Sequence, residues 1–385
     1  MKKLDKTLLY EKIIGNIEKD LSLSKIGGAS VLVLQDGETL LDERRGYSDI
    51  ETKKTLSEDS LFRLASMTKP ISATAAFIAE EMGYFSLEDK VSKYFPEFSD
   101  IYVGRLEEGR AVPDHKPRFE PTLADLLSHT SGFMSNSPIY EIQLDSIPKS
   151  EFESNRKIVN YALKNTLLTF DPCEQTGYGA YIPYDLLAVL IEDKSGMKFA
   201  DFVNNYILYP LNLKDITYFP TENQWNRLVT MCDRVSPSEM KNVDMGRHTF
   251  EDFPLSYTSA GAGLVGTAKD YAIFCEMLRL GGEYGGVRII SEESAKRLSA
   301  VRVPPKMIGE NATTSWGLSV MVRLSGYPFL TPDSYGWSGA YGTHFFIDPR
   351  NKITAVYMKN TRWYDSHGAG MTGRHFEADV TASLV

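Results

Sequence analysis

Phe62-Arg63-Leu64-Ala65-Ser66-Met67-Thr68-Lys69-Pro70 places a serine one helical turn before a lysine. Ile71, Ala75, Ile78, Ala79 and Met82 then recur at helical spacing. Pro70 has no N–H to give a helix carbonyl, so it belongs in or near a first turn. The helix therefore begins close to Ser66, which puts Ser66 beside unpaired N–H groups at the positive end of the helix dipole. No charge follows Lys69 until Glu80. An amine held in such surroundings is desolvated, which lowers its pKa and leaves a lone pair for a serine proton. Residues three apart share a helix face, so amine and hydroxyl can meet. These are the requirements for a nucleophilic Ser66 with Lys69 as its base.

Spacing alone says little. Ser-x-x-Lys recurs at Ser22-Lys25, Ser146-Lys149, Ser154-Lys157, Ser195-Lys198 and Ser238-Lys241. Those pairs lie among charges or beside a proline, where the lysine reaches water. On the residues alone, Ser66 stays open between a nucleophile and a further pair of this kind.

Upstream, residues 6–20 form an amphipathic pattern with Leu9, Ile13, Ile14 and Ile17 on one face. Residues 29–34 read as a strand, Asp36-Gly37 as a hairpin turn and residues 39–41 as the returning strand. A short strand at 61–63 leads into Ser66. From about 87 to 255 the pattern becomes helical, at 123–127, 157–168, 184–193 and 199–208, with long polar connections. After 255 a near capping box, Thr267 with Asp270, opens a helix to about Leu280. Strands follow at 318–324, 342–347 and 353–359, the last two joined by Asp348-Pro349-Arg350-Asn351, and residues 376–384 form a closing helix. Strands at both ends with helices between them predict an α+β fold: one antiparallel sheet built from both termini. The expected division is a discontinuous sheet domain, 1–86 and 256–385, and a mostly helical inserted domain, 87–255, with the active site in the cleft between them.

Composition narrows the function. The 385 residues are 42% hydrophobic and 24% charged, which suits a folded domain with a substantial core. A net charge of −9 argues against a nucleic-acid partner. No run approaches the length of a membrane span, and Glu11, Lys12, Glu18, Lys19 and Asp20 interrupt any export signal at the N-terminus. A cytoplasmic protein is expected. Cys173, Cys232 and Cys275 are odd in number and far apart, so unpaired buried thiols are expected rather than disulfides or a zinc site.

Other constellations carry less. Gly336-Trp337-Ser338-Gly339-Ala340 nearly fits a nucleophile elbow, but an elbow leads into a helix and residues 341–347 read as a strand. Histidines 115, 129, 248, 344, 367 and 375 show no metal-binding spacing, and His129 is read as bonded to backbone in a loop. No phosphate-binding glycine loop is present.

Several motifs together resemble the serine β-lactamase and penicillin-binding-protein superfamily, most closely class C β-lactamases and the related family VIII carboxylesterases. The resemblance runs from about Gly28 to Lys359. It rests on the Ser66 segment, on Leu123-Ala124-Asp125-Leu126-Leu127-Ser128-His129-Thr130-Ser131-Gly132, and on the segment from Ala260 to Asp270. It implies a β-lactamase-like fold with no cofactor and no metal. The family's Tyr-x-Asn motif falls at Tyr178, a partner acid/base for Lys69, with Tyr181 and Tyr184 as rivals. The asparagine position is Ala180, so an amide that would bind an acylamide carbonyl is absent. The Lys-Thr-Gly motif reads Trp337-Ser338-Gly339, which replaces a cationic anchor by an aromatic and resembles the esterase branch. By analogy Ser338 contributes a hydroxyl, and the N–H groups of Ala340 and Ser66 form an oxyanion hole.

The reading that follows is a serine hydrolase acting through an acyl-enzyme on short-chain carboxylic esters, with Trp337, Tyr181 and Phe133 favouring a small apolar acyl group. The partner is a small-molecule ester or amide, and no oligomeric state is assigned. A β-lactamase, DD-peptidase or D-amino-acid amidase, an acyltransferase, and a non-catalytic penicillin-binding sensor are the alternatives.

Overall fold

The two ends of the chain meet in one antiparallel sheet of eight strands. In a computed structural model describing all residues except 136, 140, 142–146 and 363–370, the strand order is Thr314–Trp316, Met321–Arg323, Tyr335–Ser338, Thr343–Asp348, Ile353–Lys359, Gly28–Gln35, Glu38–Asp49 and Lys54–Thr55. His367 lies outside the described residues. The central pairing runs from Ala29 opposite Lys359 to Gln35 opposite Ile353. Asp36 and Gly37 turn the first hairpin with φ of 51° and 84°, the left-handed pair a two-residue turn demands.

Side-chain alternation divides the sheet's two faces. Val31, Val33, Ala355, Tyr357 and Phe346 pack under the helices Lys6–Ser22 and Gly373–Thr381. Leu32, Val356, Met358, Phe345 and Ile347 face the other way, into a larger core shared with helix Ala268–Arg279 and with helix Thr68–Glu81. That second helix is buried on every side from Thr68 to Ala79, because its small residues let neighbours approach all round. Helix Ile182–Ser195 packs on it.

The middle of the chain differs from its helical reading. Helices stand at Leu123–Leu127, Asn155–Asn165, Ile182–Ser195 and Phe199–Val203, the last continuing as a π-helical turn over Asn204–Leu208. Two hairpins accompany them, Val103–Glu107 with Arg110–His115 and Met231–Ser236 with Glu239–Val243. The first is charged and mostly exposed, so no apolar alternation marks it. The strand Tyr335–Ser338 also escaped the sequence, since glycine and serine carry little strand signal. Cys173 is exposed, a correction to the expected burial of all three thiols; Cys232 and Cys275 are buried. Among the described residues no helix is long and apolar enough to cross a membrane.

Two close approaches hold the turn between strands Tyr335–Ser338 and Thr343–Asp348 against the segment before Ser66. Thr343 Oγ1 donates to Leu64 O at 3.1 Å, and a Cβ on Gly339 would lie 2.2 Å from Thr343 Oγ1 and 2.3 Å from Leu64 O. Gly339→Ala is therefore expected to destabilise by ~1–3 kcal/mol, read as a lower urea midpoint. Gly15, inside an exposed helix face with nothing near its Cβ position, is the opposite case. Gly15→Ala is expected to stabilise by ~0.5–1 kcal/mol, and equal midpoints for the two variants would refute the close approach at Gly339.

Candidate active site

Ser66 lies in the 3-10 turn Ala65–Met67, which runs directly into helix Thr68–Glu81. Ala65 has φ of 45°, a left-handed conformation uncommon outside glycine and the mark of a tightly constrained turn. One turn on, Lys69 Nζ sits 3.1 Å from Ser66 Oγ and donates to Gly261 O at 2.8 Å. That carbonyl comes close because residue 261 lacks a side chain. A Cβ there would lie 2.1 Å from Ala180 O and 3.3 Å from Lys69 Nζ.

Lys69 is wholly buried, and its amine lies 5.0 Å from the ring centres of both Tyr178 and Tyr184. Burial pulls its pKa down to about 7, against the opposing pull of Asp185. Asp185 is equally buried and is pushed up to about 7 by burial. The Tyr257 hydroxyl, the Ala260 N–H and Asn155 Nδ2 donate to its carboxylate. Amine and carboxylate therefore titrate as a coupled pair.

Tyr178 is fixed by its backbone and by its ring. Its carbonyl accepts from Ser135 N, and Gly177 N donates to His129 O. Its ring packs on His129, Trp316 and Trp337 with centroids 4.7, 6.1 and 5.3 Å away. Trp337 Nε1 donates to Tyr178 Oη at 3.2 Å. His129 accepts the Gly179 N–H on Nδ1, and burial, with Lys69 nearby, drives its pKa well down. Of the rival tyrosines, Tyr184 is buried with its hydroxyl on Ser319 Oγ at 2.8 Å, and Tyr181 packs among Phe250 and Phe253. Phe133 is no rim residue: it is buried against Phe98.

A cavity of about 530 Å³ brings Ser66 and Tyr178 together with Trp337, Ser338, Gly339 and Ala340. Lys69 stands behind Ser66, outside the lining. Among the described residues the Ala340 N–H donates to no protein acceptor. The remaining serine–lysine spacings are local. Ser154 caps its helix on Lys157 N, while Ser22 and Ser195 donate to carbonyls in their own helices. Ser146 lies outside the described residues.

Four residues around the cleft escaped sequence reasoning. Asp185 sits in an apolar helical run, where an unpaired acid is itself the signal of a buried polar contact. Trp316 packs on Tyr178, His129 and Trp337 but carries no motif. His344 is the cross-strand partner of Ser338, and Glu377 lies on the last helix. A hairpin register over residues 335–348 would have paired the first of these with Ser338. Among the described residues no three His, Cys, Asp or Glu side chains gather as a metal site.

Known proteins are similar to this chain. Protein Rv1367c of Mycobacterium tuberculosis is 27% identical over 354 residues, covering 86% of this chain and 85% of its own. Esterase EstB of Burkholderia gladioli is 26% identical, covering 96% of this chain and 94% of its own. The solved structure of "EstCE1, a hydrolase with promiscuous acyltransferase activity" has a TM-score of 0.77 at 23% identity and covers 98% of each chain, a likeness of fold. Residues 14–378 match the Beta-lactamase family, and the chain belongs to it.

Proposed function

We propose that this protein is a serine hydrolase that works through an acyl-enzyme on short-chain carboxylic esters. The observation that carries the reading is the buried Lys69 amine, 3.1 Å from Ser66 Oγ, with its pKa drawn down to about 7. Ser66 Oγ attacks the ester carbonyl carbon while Lys69 takes its proton. The N–H groups of Ser66 and Ala340 hold the oxyanion. Tyr178 relays the proton to the departing alkoxide. Water then attacks the acyl-Ser66 carbonyl and the acid is released. The cleft lies between the sheet unit, 1–86 and 256–385, and the helical unit, 87–255.

Substrate class follows from what lines the cleft. Trp337 offers an aromatic surface where a cationic anchor would favour an anionic substrate. Residue 180 has no amide to grip an acylamide carbonyl. The esterase relative supports the same choice. Acyl transfer to an alcohol is the second reading, supported by the promiscuous acyltransferase activity of EstCE1, a hydrolase of the same fold.

p-Nitrophenyl acetate or butyrate should be turned over, and Ser66→Ala should lower turnover by a factor on the order of 10⁶. Equal rates in the two proteins would sink the assignment. A chromogenic cephalosporin should be cleaved far more slowly than the ester, and brisk cleavage would favour the β-lactam alternative.

Lys69 must be neutral to accept a proton. The kcat/KM profile should therefore rise with pH through an acid limb near 7. Asp185 raises the Lys69 pKa, so Asp185→Asn should move that limb to lower pH. A limb that stays in place or moves upward would show that Lys69 does not set it.

A further inference from the structure

Ser338 has a polar device of its own behind it. Ser338 and His344 face each other across adjacent strands, so their side chains share one face of the sheet. Ser338 Oγ lies 2.8 Å from His344 Nδ1. On the far side of the ring, His344 Nε2 lies 3.3 Å from Glu377 Oε1, with the imidazole side chain 4% exposed and the carboxylate 0%. Nε2 forms no hydrogen bond among the described residues, so its approach to Glu377 is a close polar contact rather than a formed bond. Gly373 packs on the ring so closely that a Cβ there would sit 2.5 Å from Nδ1, which fixes the imidazole plane.

The direction of these contacts follows from charge. Burial works to raise the Glu377 pKa, but Arg323, His344 and Tyr327 outweigh it and hold the carboxyl at about 2. Arg323 and the Tyr327 hydroxyl both donate to it. An ionised carboxylate only accepts, so the tautomer with its proton on Nε2 is the one that suits the facing Glu377. Nδ1 is then an acceptor, and Ser338 must donate its own hydrogen to it. What Ser338 turns to the cleft is a lone pair, and a lone pair meets a donor. The donors that enter this cleft are water and alcohols, the groups that must attack an acyl-enzyme.

We infer that Ser338, positioned by His344 and Glu377, takes the proton of the acyl acceptor in the second half-reaction. This rests on the acyl-enzyme reading. The acceptor oxygen bonds to the acyl carbon as its proton passes to Ser338 Oγ, and the Ser338 proton passes to His344 Nδ1. The imidazolium so formed is balanced by Glu377. The intermediate then collapses and the bond from the acyl carbon to Ser66 Oγ breaks. Ser66 is reprotonated from Tyr178 through Lys69. The Tyr178 phenolate recovers its proton from the imidazolium by way of Ser338 and cleft water. His344 and Glu377 are positioning residues, since they reach the substrate only through Ser338.

The two half-reactions separate this role from a structural one. Each full-length protein is mixed rapidly with p-nitrophenyl acetate, phenolate release is followed, and the enzyme is quenched for intact mass. In Ser338→Ala and Glu377→Gln the release of the first equivalent should be slowed far less than the steady-state rate. Their steady-state rate should then fall by roughly 10²-fold, the usual scale of a lost general base, as acetyl-Ser66 accumulates. Ser338→Thr, which keeps the hydroxyl, should restore turnover. Burst and steady state slowed together, or neither slowed, would overturn the relay. If Glu377→Gln gives no burst through misfolding, Ser338→Ala decides alone, because it only shortens a side chain at the cleft wall. Turnover without any acetyl-Ser66, with Ser66→Ala as active as wild type, would overturn the acyl-enzyme reading and the relay with it.

Discussion

Keeping water from the Lys69 amine is the constraint on which the cleft depends. A fully buried ammonium costs several kcal/mol in lost hydration even after relaxation. A neutral amine does not, so burial itself makes the lysine a base near neutral pH. The opposing pull of Asp185 keeps the amine from becoming too weak a base, and proton transfer is most efficient when the pKa lies near the working pH. Asp185 is restrained in turn by its own burial and held by Tyr257, Ala260 and Asn155.

The walls that exclude water come from four distant parts of the chain. Helix Thr68–Glu81 supplies Lys69 and surrounds it with small apolar neighbours. Residues 178–185 supply two rings and a carboxylate. The loop at Gly261 supplies a carbonyl at 2.8 Å. The sheet supplies Trp337 and Ser338 at the end of an inner strand, tied through Thr343 to Leu64 O. Only a sheet built from both ends of the chain brings these parts together. A one-residue slip in its register would turn Ser338 and His344 to the opposite face.

What could be read from the sequence follows the range of the interactions. The Ser66 helix, the Asp36-Gly37 hairpin and the long amphipathic helices are local, and their periodicity carried them. The single antiparallel sheet also followed, because strands cluster at the two termini. The hairpins at 103–115 and 231–243 did not: the first is charged and mostly exposed, and the second buries Met231, Cys232 and Arg234 without an apolar alternation. Within the site, Ser66, Lys69, Tyr178 and residues 337–340 lie in compact motifs and gather as a group around one cavity. Asp185 and Trp316 act through partners 72 and 138 residues away, a separation no window of sequence displays, whereas His344 lies 6 residues from Ser338 and was missed because its hairpin was not read.

Trp337 links the two polar devices of the cleft. A lysine at that position would set a second cation near Lys69 and lower its pKa further by repulsion. It would also compete with His344 for the negative field of Glu377. The indole adds no charge, and its N–H goes to Tyr178 Oη, so it steers the neighbouring phenol without altering the charge balance of either pair. Each of these two basic side chains faces its own carboxylate: Asp185 acts on Lys69, and Glu377, itself paired with Arg323, lies against His344. Cations do line the cleft, Arg374 and the Glu377-bound Arg323, but the wall at position 337 is aromatic. In the ester reading proposed above, that aromatic wall is what would take an apolar acyl chain, where an ammonium would not.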